Sequence, residues 1–163
     1  MRNIGVQGEA LVRRNILLID DDPVEAGAIR AALAGAGNGS FQLSWVRRCS
    51  DGLERLAADN SRREAHQARG IAAVVLDLYL RDSHGIETFI KVFRAAPRIP
   101  ILVLAAAYDE HVARAAVQQG AKDYILKSIF SGYLLPRALH NMVELESYSL
   151  GGGALRDDIR YQL

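Results

Sequence analysis

The stretch Ile16-Leu17-Leu18-Ile19-Asp20-Asp21-Asp22-Pro23 decides the fold. Its apolar half reads as a strand buried on both faces, the kind found in a parallel sheet covered by helices. Its acids therefore fall where the chain leaves that sheet. A second run, Ala72-Ala73-Val74-Val75-Leu76, ends on Asp77 in the same way. Open α/β folds bind ligands beyond the carboxyl ends of their strands, so both acidic ends point to one site. Converging carboxylates repel one another unless a cation holds them, and a hard divalent ion such as Mg²⁺ suits them.

Strand-type runs recur at Asn15 to Asp20, Phe41 to Val46, Ile71 to Asp77, Ile101 to Leu104 and Asp123 to Leu126, with segments of helical period between them. Pro23 opens the first helix, with Val24, Ala28, Ala31 and Ala32 expected on one face, and Gly35 to Gly39 closes it. Ser50 or Asp51 is the expected N-cap of the second, which turns Leu53, Leu56 and Ala57 inward and runs toward the polar stretch Ser61 to Arg69. The third runs from about Gly85 to Ala96 and the fourth from about Glu110 to Gln119. The fifth, about Ser131 to Ser147, carries a stripe of Leu135, Ala138, Leu139, Met142 and Val143, with Pro136 confined to its first turns. Such alternation predicts an α/β fold with a doubly wound parallel sheet and right-handed crossovers.

Composition narrows the class. The chain has 163 residues, 50% hydrophobic and 24% charged, with a formal net charge of +1. That fits one domain with a full core and carries no basic footprint for direct nucleic-acid binding. No apolar run approaches the roughly 20 residues of a membrane span. The single cysteine, Cys49, is expected to be a small buried or half-buried side chain in a reducing compartment, and the expected location is the cytoplasm. Residues 1–14 read as a loose leader and 15–148 as the folded domain. Residues 149–163 read as a linker or the start of a connector helix, because Ser149-Leu150-Gly151-Gly152-Gly153 precedes Leu155, Ile159 and Leu163 spaced four apart.

Taken in order, Ile16 to Pro23, Val74-Val75-Leu76-Asp77-Leu78, Gly85 and Gly120-Ala121-Lys122-Asp123-Tyr124-Ile125-Leu126-Lys127 resemble the receiver domain of bacterial two-component response regulators, over about Asn15 to Glu144. The resemblance implies a flavodoxin-like sheet of five strands in the order 2-1-3-4-5 with five helices. It further implies that Asp77 accepts a phosphoryl group and that Asp21 binds Mg²⁺ directly, with Asp20 supporting the ion and the backbone carbonyl of Tyr79 completing its protein ligands. Lys127 would pair with the phosphoryl oxygens. The implied partners are a histidine kinase or phosphotransfer protein and a downstream output domain or partner protein. A homodimer through the fourth helix, fifth strand and fifth helix belongs to the same expectation. Such a domain is not an enzyme beyond its own phosphoryl transfer and dephosphorylation. Asp22 is expected to cap the first helix.

Three positions depart from the family. Ala105 stands where receivers carry Thr or Ser, so the hydrogen bond that draws the switch loop inward is absent; such a bond to a charged group is worth about 1.5 to 3 kcal/mol. Tyr124 occupies the position of the switch aromatic but lacks that coupling partner. Ser128 replaces the proline after Lys127, and because a cis bond before serine costs about 3 to 4 kcal/mol, a trans bond is expected. Tyr79, two residues past Asp77, is expected to hinder attacking water and prolong an acyl phosphate. The alternative to a phosphorylated receiver is a degenerate one acting as a constitutive interaction or dimerisation module. A remote alternative is a haloacid-dehalogenase-like phosphatase using the Asp20-x-Asp22 pair. His66, His84, His111 and His140 show no metal-ligand spacing, and Phe130 and Met142 are expected to pack.

Overall fold

Strand β1 (Arg14–Ile19) alternates its side chains between two cores, Ile16 and Leu18 entering one and Leu17 and Ile19 the other. Strands β3 (Ile71–Asp77) and β4 (Ile101–Ala105) divide in the same way, Val74, Leu76 and Val103 facing one side and Ala73, Val75 and Leu102 the other. A strand covered on both faces has no polar side to present, which is why these runs are apolar throughout. With β2 (Phe41–Val46) and β5 (Asp123–Leu126) they form a five-stranded sheet in the order β2-β1-β3-β4-β5, each neighbouring pair parallel. This is the doubly wound order expected. The computed structural model describes residues 13–36, 39–65, 70–130 and 132–151, with side chains to Leu145.

Helices α1 (Pro23–Gly35) and α5 (Leu134–Gly151) cover one face of the sheet. Helices α2 (Cys49–Glu64), α3 (Ile86–Ala95) and α4 (Glu110–Gln118) cover the other. In α5 Leu135, Leu139, Met142 and Val143 are buried and Ala138 is half-buried, as the stripe predicts. The helix runs Leu134–Gly151, starting and ending a turn later than the expected Ser131 to Ser147. The final residues of the proposed connector, and Arg69 with the rest of 66–69, lie outside the described residues. No helix among the described residues is long and apolar enough to cross a membrane.

Two helices present faces other than those expected. In α1 the buried residues are Ala26, Ile29, Ala32 and Leu33, while Val24 is 79% exposed and Ala28 and Ala31 face outward. The alanine-rich helix offers small apolar residues on every side, and the bulk of Ile29 and Leu33, four apart, sets its rotation. In α2 Leu56 is buried and Leu53 half-buried, but Ala57 is exposed and the inward position is taken by Asp59. Its carboxylate accepts from the Ile71 N–H at 2.9 Å and from Arg63 at 2.8 Å, tying the end of α2 to the start of β3. Nor does Ser50 or Asp51 cap α2. The helix begins at Cys49, and Asp82, from the hairpin Tyr79–Leu80/Ser83–His84, accepts from the N–H groups of Cys49 at 2.9 Å and Ser50 at 3.0 Å. Desolvation opposes its charge, but the hydrogen bonds from the Ser50 and Cys49 amides together outweigh it and shift the carboxyl downward.

After α4 the chain turns through Gly120 at φ +121°, with the Ala121 N–H bonded to the Ala116 carbonyl at 3.0 Å. A β-carbon on Gly120 would lie 2.8 Å from the Phe93 ring. Gly120→Ala therefore strains the backbone and displaces a packed ring, and urea unfolding is expected to show a loss of about 2 to 4 kcal/mol. A loss below about 0.5 kcal/mol would mean that α3 and the turn relax freely.

Candidate functional site

The order of the strands places the ends of β1 and β3 side by side. Asp20, directly after β1, is fully buried; its Oδ1 accepts from the Asp22 N–H at 2.8 Å, and its Oδ2 has no hydrogen-bond partner. Burial, and then the nearby Glu25 and Asp77 carboxylates, push its pKa up to about 7 against the relief given by the Asp22 amide and Lys127. Asp77, the last residue of β3, is buried too, its Oδ1 accepting from the Tyr79 N–H at 3.0 Å. Lys127 follows β5 and reaches past the intervening β4, donating to Asp77 Oδ2 at 2.7 Å and to Glu25 Oε2 at 2.7 Å. Burial opposes its charge, but these two bonds outweigh it and hold the ammonium above its ordinary range.

Glu25 is the residue that sequence reasoning missed. Asp22 is the N-cap of α1, accepting from Val24 at 2.8 Å and Glu25 at 3.5 Å. A glutamate three residues after the cap would ordinarily reach back to the cap's own N–H. Here Asp20 already accepts that N–H, and Glu25 is released toward Lys127. Asp20, Glu25 and Asp77 each bring one oxygen within 4.8 Å of the others. Three carboxylates and a buried oxygen without a partner fit a hard divalent cation, which takes oxygen ligands. Asp21 stands outside this trio, its Oδ2 3.6 Å from Arg81 Nε at the rim.

Around the trio, Ala105 ends β4 as a buried methyl group. Tyr124 is half-buried and its hydroxyl donates to Glu110 Oε1 at 2.7 Å, while Arg114 holds the same oxygen at 2.8 Å. The Tyr79 hydroxyl donates to Asp109 Oδ1 at 3.0 Å, joining the segment after β3 to the one before α4. Desolvation, reinforced by this bond and the Asp109 charge, raises the phenol's pKa. No peptide bond is cis among the described residues, so Lys127 to Ser128 is trans as expected. Of the histidines, His84 sits edge-on to Tyr79, His140 lies 3.7 Å from Glu144 and His111 is exposed; His66 is outside the described residues. Met142 is buried, and Phe130 packs against the same core.

A family model described as the response regulator receiver domain matches residues 16–139. The chain belongs to the response regulator receiver family. The receiver is 32% identical to the KDP operon transcriptional regulatory protein KdpE of Escherichia coli (strain K12) over 123 residues, 76% of this chain and 48% of that protein. It spans about half the length of the curated relatives it matches. A receiver domain protein from Clostridium thermocellum superposes with a TM-score of 0.66 at 20% identity, covering 83% of this chain and 98% of that one. The signal receiver domain of an HD domain-containing protein from Pseudomonas fluorescens Pf-5 gives 0.70 at 19% identity, covering 88% and 96%. At these identities the solved structures bear on the fold, and the receiver's sheet order agrees with it.

Proposed function

We propose that this receiver takes a phosphoryl group onto Asp77 from a histidine kinase or phosphotransfer protein and thereby regulates an output domain or partner protein in the cytoplasm. The observation that carries the reading is the Asp77 carboxylate held 2.7 Å from the Lys127 ammonium, beside a buried Asp20 oxygen that has no partner. An Asp77 oxygen forms the new bond to phosphorus as the donor's P–N bond breaks, or the P–O bond of acetyl phosphate, and the electron pair leaves with the donor. Lys127 meets the charge on the transferred oxygens. Asp20, Glu25 and Asp77 would hold Mg²⁺, with Asp21 and the Tyr79 carbonyl the further oxygens at the rim. When bound, the ion neutralises carboxylate and phosphoryl charge. Catalysis is confined to the domain's own phosphoryl transfer and dephosphorylation, and Tyr79 shields the product from water. The phosphorylated face for a partner or second copy is α4, β5 and α5.

The phosphatase alternative needs Asp22 in the site, and Asp22 is engaged in capping α1. A constitutive interaction module draws support from Ala105, which has no hydroxyl, and from Tyr124 being held by Glu110. Acetyl phosphate with Mg²⁺ is expected to add one phosphoryl group, mapped by mass spectrometry to the peptide containing Asp77, and to alter amide exchange in α4 and α5. Labelling elsewhere, or none, overturns the proposal; labelling without any change in exchange selects the constitutive module.

A further inference from the structure

Beside the acidic trio, beyond the carboxyl end of β2, lies a cleft of about 740 Å³ lined by Trp45, Arg47, Arg48, Arg55 and Arg81. We propose that this cleft binds an anion carrying phosphate groups, at a site separate from Asp77. Its volume falls within the roughly 300 to 1,000 Å³ of small-molecule pockets. Arginine suits such a ligand, because the planar guanidinium donates two parallel hydrogen bonds to phosphate oxygens. The Arg48 and Arg55 guanidinium groups have no ion pair or hydrogen bond among the described residues. They stand free to engage a ligand. Arg47 and Arg81 are held loosely on the side of the acidic site, Arg47 3.4 Å from the Asp21 carbonyl and Arg81 3.6 Å from its carboxylate.

The indole is fixed as well. Trp45 Nε1 donates to the Asp20 carbonyl at 2.7 Å, and the Arg47 guanidinium lies 5.9 Å from the ring centroid. The half-buried ring packs against the core under α1 and α5 and lies beneath Arg47, so a planar group attached to the phosphates stacks on it by displacing that guanidinium. The amides at the start of α2 contribute nothing, since Asp82 already occupies those of Cys49 and Ser50. Asp51 and Glu54 also line the cleft and weaken its positive field. Their neutralisation is therefore expected to tighten anion binding.

Trp45 is the only tryptophan of the chain, so its fluorescence reports on the cleft directly. The whole chain is titrated with ATP and, separately, with pyrophosphate, in EDTA so that no divalent ion bridges the anion to the acidic trio. Saturable quenching is expected, weakened about tenfold or more in the double variant Arg48→Ala/Arg55→Ala, strengthened in Asp51→Asn and unchanged in Arg94→Ala. ATP binding more tightly than pyrophosphate makes the ligand a nucleotide with its base on Trp45, whereas equal affinities make it a polyphosphate; both uphold a phosphate site. Absence of binding to either anion up to about 1 mM, or equal affinity in the double variant, overturns it.

Discussion

Lys127→Ala is expected to slow phosphoryl uptake by Asp77 about 10²- to 10³-fold while tightening the binding of Mg²⁺. The two effects have one origin. The ammonium lies 2.7 Å from both the Asp77 and Glu25 carboxylates and is the cation offered to the incoming phosphoryl oxygens. Without it the transferred charge loses one of its two neutralising groups. Three carboxylates within 4.8 Å are then left with no ammonium between them, which deepens their attraction for a divalent ion. Initial rates of mass gain from acetyl phosphate, measured at saturating Mg²⁺, separate the chemical role from metal affinity. An undiminished rate would take Lys127 out of the reaction, and unchanged Mg²⁺ binding by calorimetry would mean that its charge is not felt at the metal site.

The metal-free domain is expected to lose stability as pH rises from about 4 to about 7 and then to level off. Asp20 has a folded pKa near 7 against an ordinary value of 3.8, so between those values the folded protein keeps a proton that the unfolded chain has released. Stability from this group is thus complete at the acid end and gone above pH 7. A gap of that size in a fully buried group corresponds to about 4 kcal/mol at most. Asp20→Asn should flatten the profile, raise the metal-free thermal midpoint at pH 8 and abolish most of the stabilisation by Mg²⁺. In the unmodified chain, added Mg²⁺ should stabilise far more at pH 8 than at pH 5. Flat thermal midpoints from pH 5 to 8 without metal would show that the Asp20 carboxylate is not penalised by its burial.

The sheet was legible because its central strands are buried on both faces, and residues such as Leu17, Ile19, Val74 and Leu76 leave no polar alternation to mislead. The ends of those strands then located Asp20 and Asp77. Helix rotation was less legible: α1 has apolar side chains around much of its circumference, and only packing of Ile29 and Leu33 selects its inner face. Glu25 carried an ordinary signal for a helix start, and the ammonium it meets, that of Lys127, lies 102 positions away. Likewise the cap of α2 comes from Asp82, 33 positions beyond the amide of Cys49. Contacts of that span depend on the assembled sheet, and a window of sequence around either end does not contain them.

The reach of Asp82 has a mechanical result. The hairpin that leaves Asp77 is fastened to two amides of α2, and moving it outward would strip both of them at once. Loss of a helix cap costs about 0.5 to 2 kcal/mol, one to a few times the thermal energy, so the hairpin stays docked most of the time without being locked. The reactive edge and α2 are accordingly coupled through this cap, and a partner that pries the hairpin open lowers the cost by offering α2 replacement acceptors.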